Sequence, residues 1–172
     1  MRKNAAVLAI VVTVAMAASA GATETKRDPN VRPANQQGGA LMAEGQEKSQ
    51  TVRDLTAKLD QTDLVVYVAT APREPNAPES AIRFVGRSKV QRFVLVQISN
   101  EASPDQRIAL LGRELQHAVE AARSTWVTDD HTLGAMFARI GWRDASQQHG
   151  YETTAASMTE RQVRRELSAN SK

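Results

Sequence analysis

Residues 103–120, SPDQRIALLGRELQHAVE, decide how this chain is read. Ser103 is a predicted N-cap, Pro104 stands at the first helical position, and Gln106 completes the spacing of a capping box. Ile108, Leu111, Leu115, Val119 and Ala122 then recur every three or four residues, the period of one buried helical stripe. At about 100° per residue, Glu114 and His117 share the opposite side with Leu110 and Ala121. Arg113 falls at the margin of that second face, toward Gln106 and Glu120. A helix that is apolar on one side and mixed on the other suits a central element lining a site.

The centre of this helix, Arg113-Glu114-Leu115-Gln116-His117, has the pattern of His-Glu-x-x-His with arginine at the first position. In the intact pattern two imidazoles one turn apart grip Zn²⁺, and the glutamate between them activates a metal-bound water. A guanidinium has no lone pair for a metal and stays protonated, so Arg113 brings positive charge where a cation should sit.

Around this helix the chain reads as one α+β domain. A first helix is predicted over 43–59, and DLVVYVA (63–69) is a β-branched run of strand length. The proline-bearing stretch 71–79 is a loop, and 81–85 and 90–99 are two further strands with a turn at Gly86-Arg87-Ser88. In the second of these, Val94, Val96 and Ile98 alternate with Phe93, Leu95 and Gln97, so both faces are largely apolar and the strand should be covered or lie beside a groove. A short helix is expected over 131–140, with Asp129-Asp130 as its cap and Gly141 as its stop. The last helix is expected over 151–167, with Ala156, Val163 and Leu167 inward and Glu152 extending that stripe by one turn. A carboxylate on a core-facing stripe needs a cation or hydrogen-bond donors, since burying it alone is expensive.

The expected architecture is a small, mostly antiparallel sheet packed on the central motif helix, with flanking N- and C-terminal helices. Residues 1–22 read as an export signal: Arg2 and Lys3 precede an apolar run from Ala5 to Ala17, then small residues suited to cleavage. That run is shorter than the roughly 20 residues of a membrane span. Residues 23–40 mix Pro, Gly, Gln and charge and read as a flexible leader, leaving 41–172 as the folded domain. The absence of cysteine excludes disulfides, thiolate metal sites and thiol nucleophiles. Of 22 basic residues, Arg2 and Lys3 leave with the signal, so 20 remain against 19 acidic ones. With aromatics at 4%, that balance argues against nucleic acid as a partner.

The segment Gly112 to Glu120, GRELQHAVE, resembles the GHELQHAxE segment of small exported bacterial zincin-like proteins. The resemblance runs over about 41–167 and includes FVLVQIS before the motif helix and Tyr151-Glu152-Thr153 after it. It implies a zincin-like fold in which the strand before the motif helix edges the substrate cleft. Carried over, His117 matches the second zinc histidine, Glu114 the catalytic base and Glu152 a downstream acidic ligand, while Arg113 stands in place of the first histidine.

Three functional expectations follow. The first is an exported metallopeptidase relative with a degenerate site, impaired in catalysis and without zinc, that binds peptide beside the strand 93–98 by strand addition. The second is an active zinc peptidase using His117, Glu152 and a substitute ligand, for which His131 and His149 are candidates. The third is a non-catalytic envelope or partner-binding protein. Trp126 and Trp142 read as core or lid packing, and Arg161, Arg164 and Arg165 as a solvated helix face.

Overall fold

The computed structural model describes residues 28–143 and 150–170. The expected export signal over 1–22 and His149 lie outside them. The elements in chain order are β1 (Val31–Pro33), α1 (Gln36–Lys48), α2 (Gln50–Leu59), β2 (Leu64–Ala71), β3 (Ser80–Arg87), β4 (Arg92–Ser99), α3 (Pro104–Arg123), α4 (Asp130–Ile140), β5 (Trp142–Arg143), β6 (Tyr151–Glu152) and α5 (Thr154–Asn170). The class is α+β.

The main sheet has the order β1-β2-β4-β3, with β1 and β4 both parallel to β2 and only β3 antiparallel to its neighbour. The sheet is therefore mixed, not mostly antiparallel. β4 explains why. Its nearly unbroken apolar run suits an interior slot, which it takes between β2 and β3. The tight turn at 88–91, closed by Ser88 N–H to Gln91 O at 2.7 Å, makes β3 its hairpin partner, so β2 is reached by a crossover. The turn thus lies just after the Gly86-Arg87-Ser88 expected from sequence. A two-stranded antiparallel ribbon, β5-β6, stands apart.

Val94, Val96 and Ile98 of β4 and Val66 and Val68 of β2 are fully buried with Ile108, Leu111 and Leu115 of α3. Each such side chain contributes about 1.5–3 kcal/mol by leaving water. The opposite sheet face is half-buried and carries Tyr67 stacked on Phe93, with ring centroids 6.4 Å apart.

Part of the expected leader belongs to the fold. Val31–Pro33 pairs with Val66–Val68, and α1 starts at Gln36, capped by Asn35, whose side chain accepts from Gly38 N–H at 2.7 Å. Gly38 permits this approach, because a Cβ there would lie 2.1 Å from Val68 O. The single helix expected over 43–59 is two helices. Ser49 takes an extended conformation (φ −132°, ψ 121°), ending α1 and capping α2 through its Oγ. Glu166 of α5 locks the break: it accepts from Ser49 Oγ at 2.6 Å, Thr51 Oγ1 at 2.6 Å and Thr51 N–H at 3.2 Å. Burial would raise the pKa of Glu166, but these donors and Gln162 outweigh it and bring the value down to about 2.

The last helix begins at Thr154, three residues later than expected, because Tyr151 and Glu152 pair with Arg143 and Trp142 as an extended ribbon. The contact requires Gly141, where a Cβ would meet Glu152 O at 2.1 Å. The tryptophans are not core: Trp126 is 43% and Trp142 49% exposed, and Trp126 lies under the Arg139 guanidinium at 5.6 Å. Arg161, Arg164 and Arg165 are on an exposed face, as expected.

Candidate functional site

The site is built on α3, anchored at both ends. At its start Ser103 accepts from Gln106 N–H, while the Gln106 side chain donates outward to Glu79, so the reciprocal half of the capping box is not made. At its end a buried arginine of β4 replaces any glycine cap. Arg92 donates through Nη1 to the carbonyls of Ala121, Ser124 and Val127, through Nη2 to that of Ala122, and through Nε and Nη2 to both oxygens of Asp63. Four of the oxygens it binds are backbone carbonyls at or just beyond the negative pole of the helix. The hydrogen bonds from Arg92 hold the Asp63 carboxyl below its ordinary pKa.

Between these anchors Arg113 is 8% exposed, and Glu114 and His117 are each 2% exposed. Arg113 therefore turns inward, not toward Glu120 and solvent. Its Nε lies 3.1 Å from Glu152 Oε2 and 3.8 Å from Glu114 Oε1, and its Nη1 lies 4.0 Å from Glu160 Oε2. The Nε–H makes no directed hydrogen bond, so its bond vector misses the nearby carboxylate and the attraction is one of charge. Glu114 Oε1 accepts from Ser80 Oγ of β3 at 2.6 Å.

His117 stands between two carboxylates. Its Nδ1 is 3.1 Å from Glu120 Oε2, and an ionised carboxylate only accepts, so that nitrogen carries a proton. Nε2 lies 3.7 Å from Glu152 Oε1 and is buried without a hydrogen-bond partner. The ring meets Phe137 of α4 edge-on, with centroids 4.8 Å apart. Thr153 ties the assembly together: its Oγ1 donates to Glu120 Oε1 and its N–H to Glu152 Oε1, both at 2.8 Å. Gly112 lets α5 come this close, since a Cβ there would lie 2.7 Å from Val163 Cγ2.

Arg113, Glu114, His117 and Glu152 thus converge, although Glu152 arrives from a ribbon and not from a helix. His131 lies exposed on the first turn of α4. Ser80, Glu120 and Glu160 were not anticipated as site residues. Glu120 could have been, because it stands three residues after His117 on the same helix and the residues of such a pair meet. Ser80 carries no comparable signal, since its approach to Glu114 depends on how β3 docks.

His117 and Glu152 are the two expected zinc donors that face each other here. A gap of 3.7 Å between an imidazole nitrogen and a carboxylate oxygen could be bridged by bonds of about 2.0–2.2 Å. A third donor is needed, and position 113 supplies a guanidinium beside the same carboxylate. Among the described residues, no three His, Cys, Asp or Glu side chains are grouped as a metal would require.

A cavity of about 630 Å³ opens over this floor. Ser80 and Ile82 of β3 form one wall, Leu133, Gly134 and Phe137 of α4 the other, and Pro75 and Pro78 close one end. The cleft edge is therefore β3. The strand expected in that place, Phe93 to Ile98, has both edges taken by β2 and β3. No protein-family model, curated protein or solved structure matches this chain. The reading of the site rests on its own geometry.

Proposed function

We propose that this chain is an exported zincin-like metallopeptidase relative whose degenerate site, Arg113-Glu114-Leu115-Gln116-His117, has exchanged hydrolysis for peptide binding. The observation that carries this reading is the position of Arg113: buried in the cavity floor, with its guanidinium 3.1 Å from the carboxylate that also faces His117 Nε2. An internal cation there balances Glu152 and Glu114, the two acids that would otherwise need a metal. On this reading Glu114 is held as a structural acceptor by the Ser80 hydroxyl at 2.6 Å, beside the Arg113 guanidinium. What remains is a cavity beside an open sheet edge, which suits an extended peptide. On this reading the mature protein works outside the cytoplasm. Among the described residues, no helix is long and apolar enough to cross a membrane.

Zinc content tests the proposal. The purified protein should contain no stoichiometric zinc and cleave no peptide, whereas Arg113→His should take up about one zinc per chain, measured by plasma mass spectrometry. Stoichiometric zinc in the wild type that disappears in His117→Ala would overturn the proposal. An Arg113→His protein that folds but takes up none would show that the floor was never shaped for a metal.

A further inference from the structure

Among the described residues, the outer edge of β3 pairs with no strand, and its two ends differ. Ser99 N–H bonds Glu79 O at 2.7 Å, so residues 79, 81 and 83 turn their backbone groups toward β4. Ser80, Ile82 and Phe84 turn theirs outward, and the first two line the cavity. Phe84 N–H is already taken: it donates to Asp130 Oδ1, on the first turn of α4, at 3.0 Å. Asp130 thus closes one end of the edge, and Pro75 and Pro78 line the other. From Ser80 to Phe84 the edge runs over five residues, about 14 Å.

Resting on the peptide-binding reading above, we propose that the cavity takes the free N-terminal end of an extended peptide. The peptide runs antiparallel to β3, with its α-ammonium beside Asp130. The direction follows from charge. An antiparallel chain begins at the Phe84 end and meets a carboxylate with its ammonium. A parallel chain would bring its own carboxylate to the same place, and a chain continuing past Phe84 would have to displace Asp130 from the backbone. The positive pole of α4 opposes an ammonium there by about half an elementary charge. Asp129 and Asp130, side by side at that helix start, carry two negative charges and outweigh it.

The cavity lining is acidic by one charge, with Glu74, Glu114 and Asp130 against Arg83 and Arg113. Ile82 and Phe84 project toward the helices, where they pack on the core. A peptide side chain opposite Ile82 shares that face and meets Leu133 and Phe137, so an apolar residue is favoured there.

The test compares two peptides on the intact chain by backbone amide NMR titration. One is Ala-Ala-Leu-Ala-Ala-Lys amide with a free N-terminus, and the other is its N-acetyl twin. The free peptide should shift the Ser80 and Ile82 amides and bind about fivefold or more tightly than the twin. Asp130→Asn, which keeps an oxygen for Phe84 N–H, should erase the difference. Equal binding of the two peptides overturns the N-terminal proposal while leaving a peptide groove. If neither peptide moves those amides, both the groove and its N-terminal preference are overturned. Wild-type dimers in sedimentation, with the same amides protected, would make a second copy the occupant and equally overturn it.

Discussion

Replacing Arg113 by methionine removes the charge from the cavity floor while keeping an unbranched side chain of comparable reach. Glu152 and Glu114, whose side chains are 12% and 2% exposed, then lose their nearest guanidinium. Breaking a buried pair from one side costs about 3–5 kcal/mol, because the surviving charge stays desolvated. The lower end applies, for two reasons. The Arg113 Nε–H is not aimed at its partner, and Glu152 keeps the Thr153 N–H while Glu114 keeps the Ser80 hydroxyl. A loss of about 3 kcal/mol lowers the melting temperature of a domain this size by about 10 °C. Urea unfolding of four proteins measures it: wild type, Arg113→Met, Glu152→Gln and the double variant. The double variant should be more stable than the sum of the single losses implies, by about 1–2 kcal/mol, since it leaves fewer orphaned charges. Strict additivity, or a single variant as stable as wild type, would refute the idea that Arg113 serves as the site's cation.

Two further expectations concern the frame. Arg92→Leu leaves carbonyls at the end of α3 without donors and Asp63 without its partner, so it should cost about 3–5 kcal/mol and speed amide exchange over 121–127 before the rest of α3. Glu166 has a folded pKa of about 2 against an ordinary value of 4.5, so its contribution is present above about pH 4.5 and is lost as pH falls toward 2. Glu166→Gln should flatten the acid limb of stability in that window, read by thermal melts at stepped pH. An unchanged acid limb would mean that the carboxylate is no better held in the folded state than in the unfolded one.

What could be read from the residues was what depends on neighbours along the chain. The start of α3 at Ser103-Pro104, its buried stripe and the inward side shared by Glu114 and His117 all follow from local periodicity. The same holds for α4, where Asp129 caps and Thr132 answers it. Extending the stripe of α5 backward by one turn points to Glu152. It does reach the site, but the path was wrong, because pairing of 151–152 with 142–143 overrides helical propensity there. Features set by distant partners were not legible. Ser49 looks like a tolerable helix residue until Glu166, far along the chain, stabilises the break. The mixed sheet depends on which slot β4 takes, and its alternation of two apolar faces specifies an interior strand without naming its neighbours. Arg92 reads as a strand-end charge, and nothing nearby in the chain shows that it will cap a helix.

That last residue has a consequence for how the protein can change over time. Arg92 grips main-chain oxygens, and every amino acid supplies one. The stretch from Ala121 to Val127 can therefore exchange its side chains widely, within what packing allows, and still present the same targets to the guanidinium. The aim of Glu114 and His117 is in this way insulated from drift at the end of their own helix. It stays exposed to a single change on a neighbouring strand.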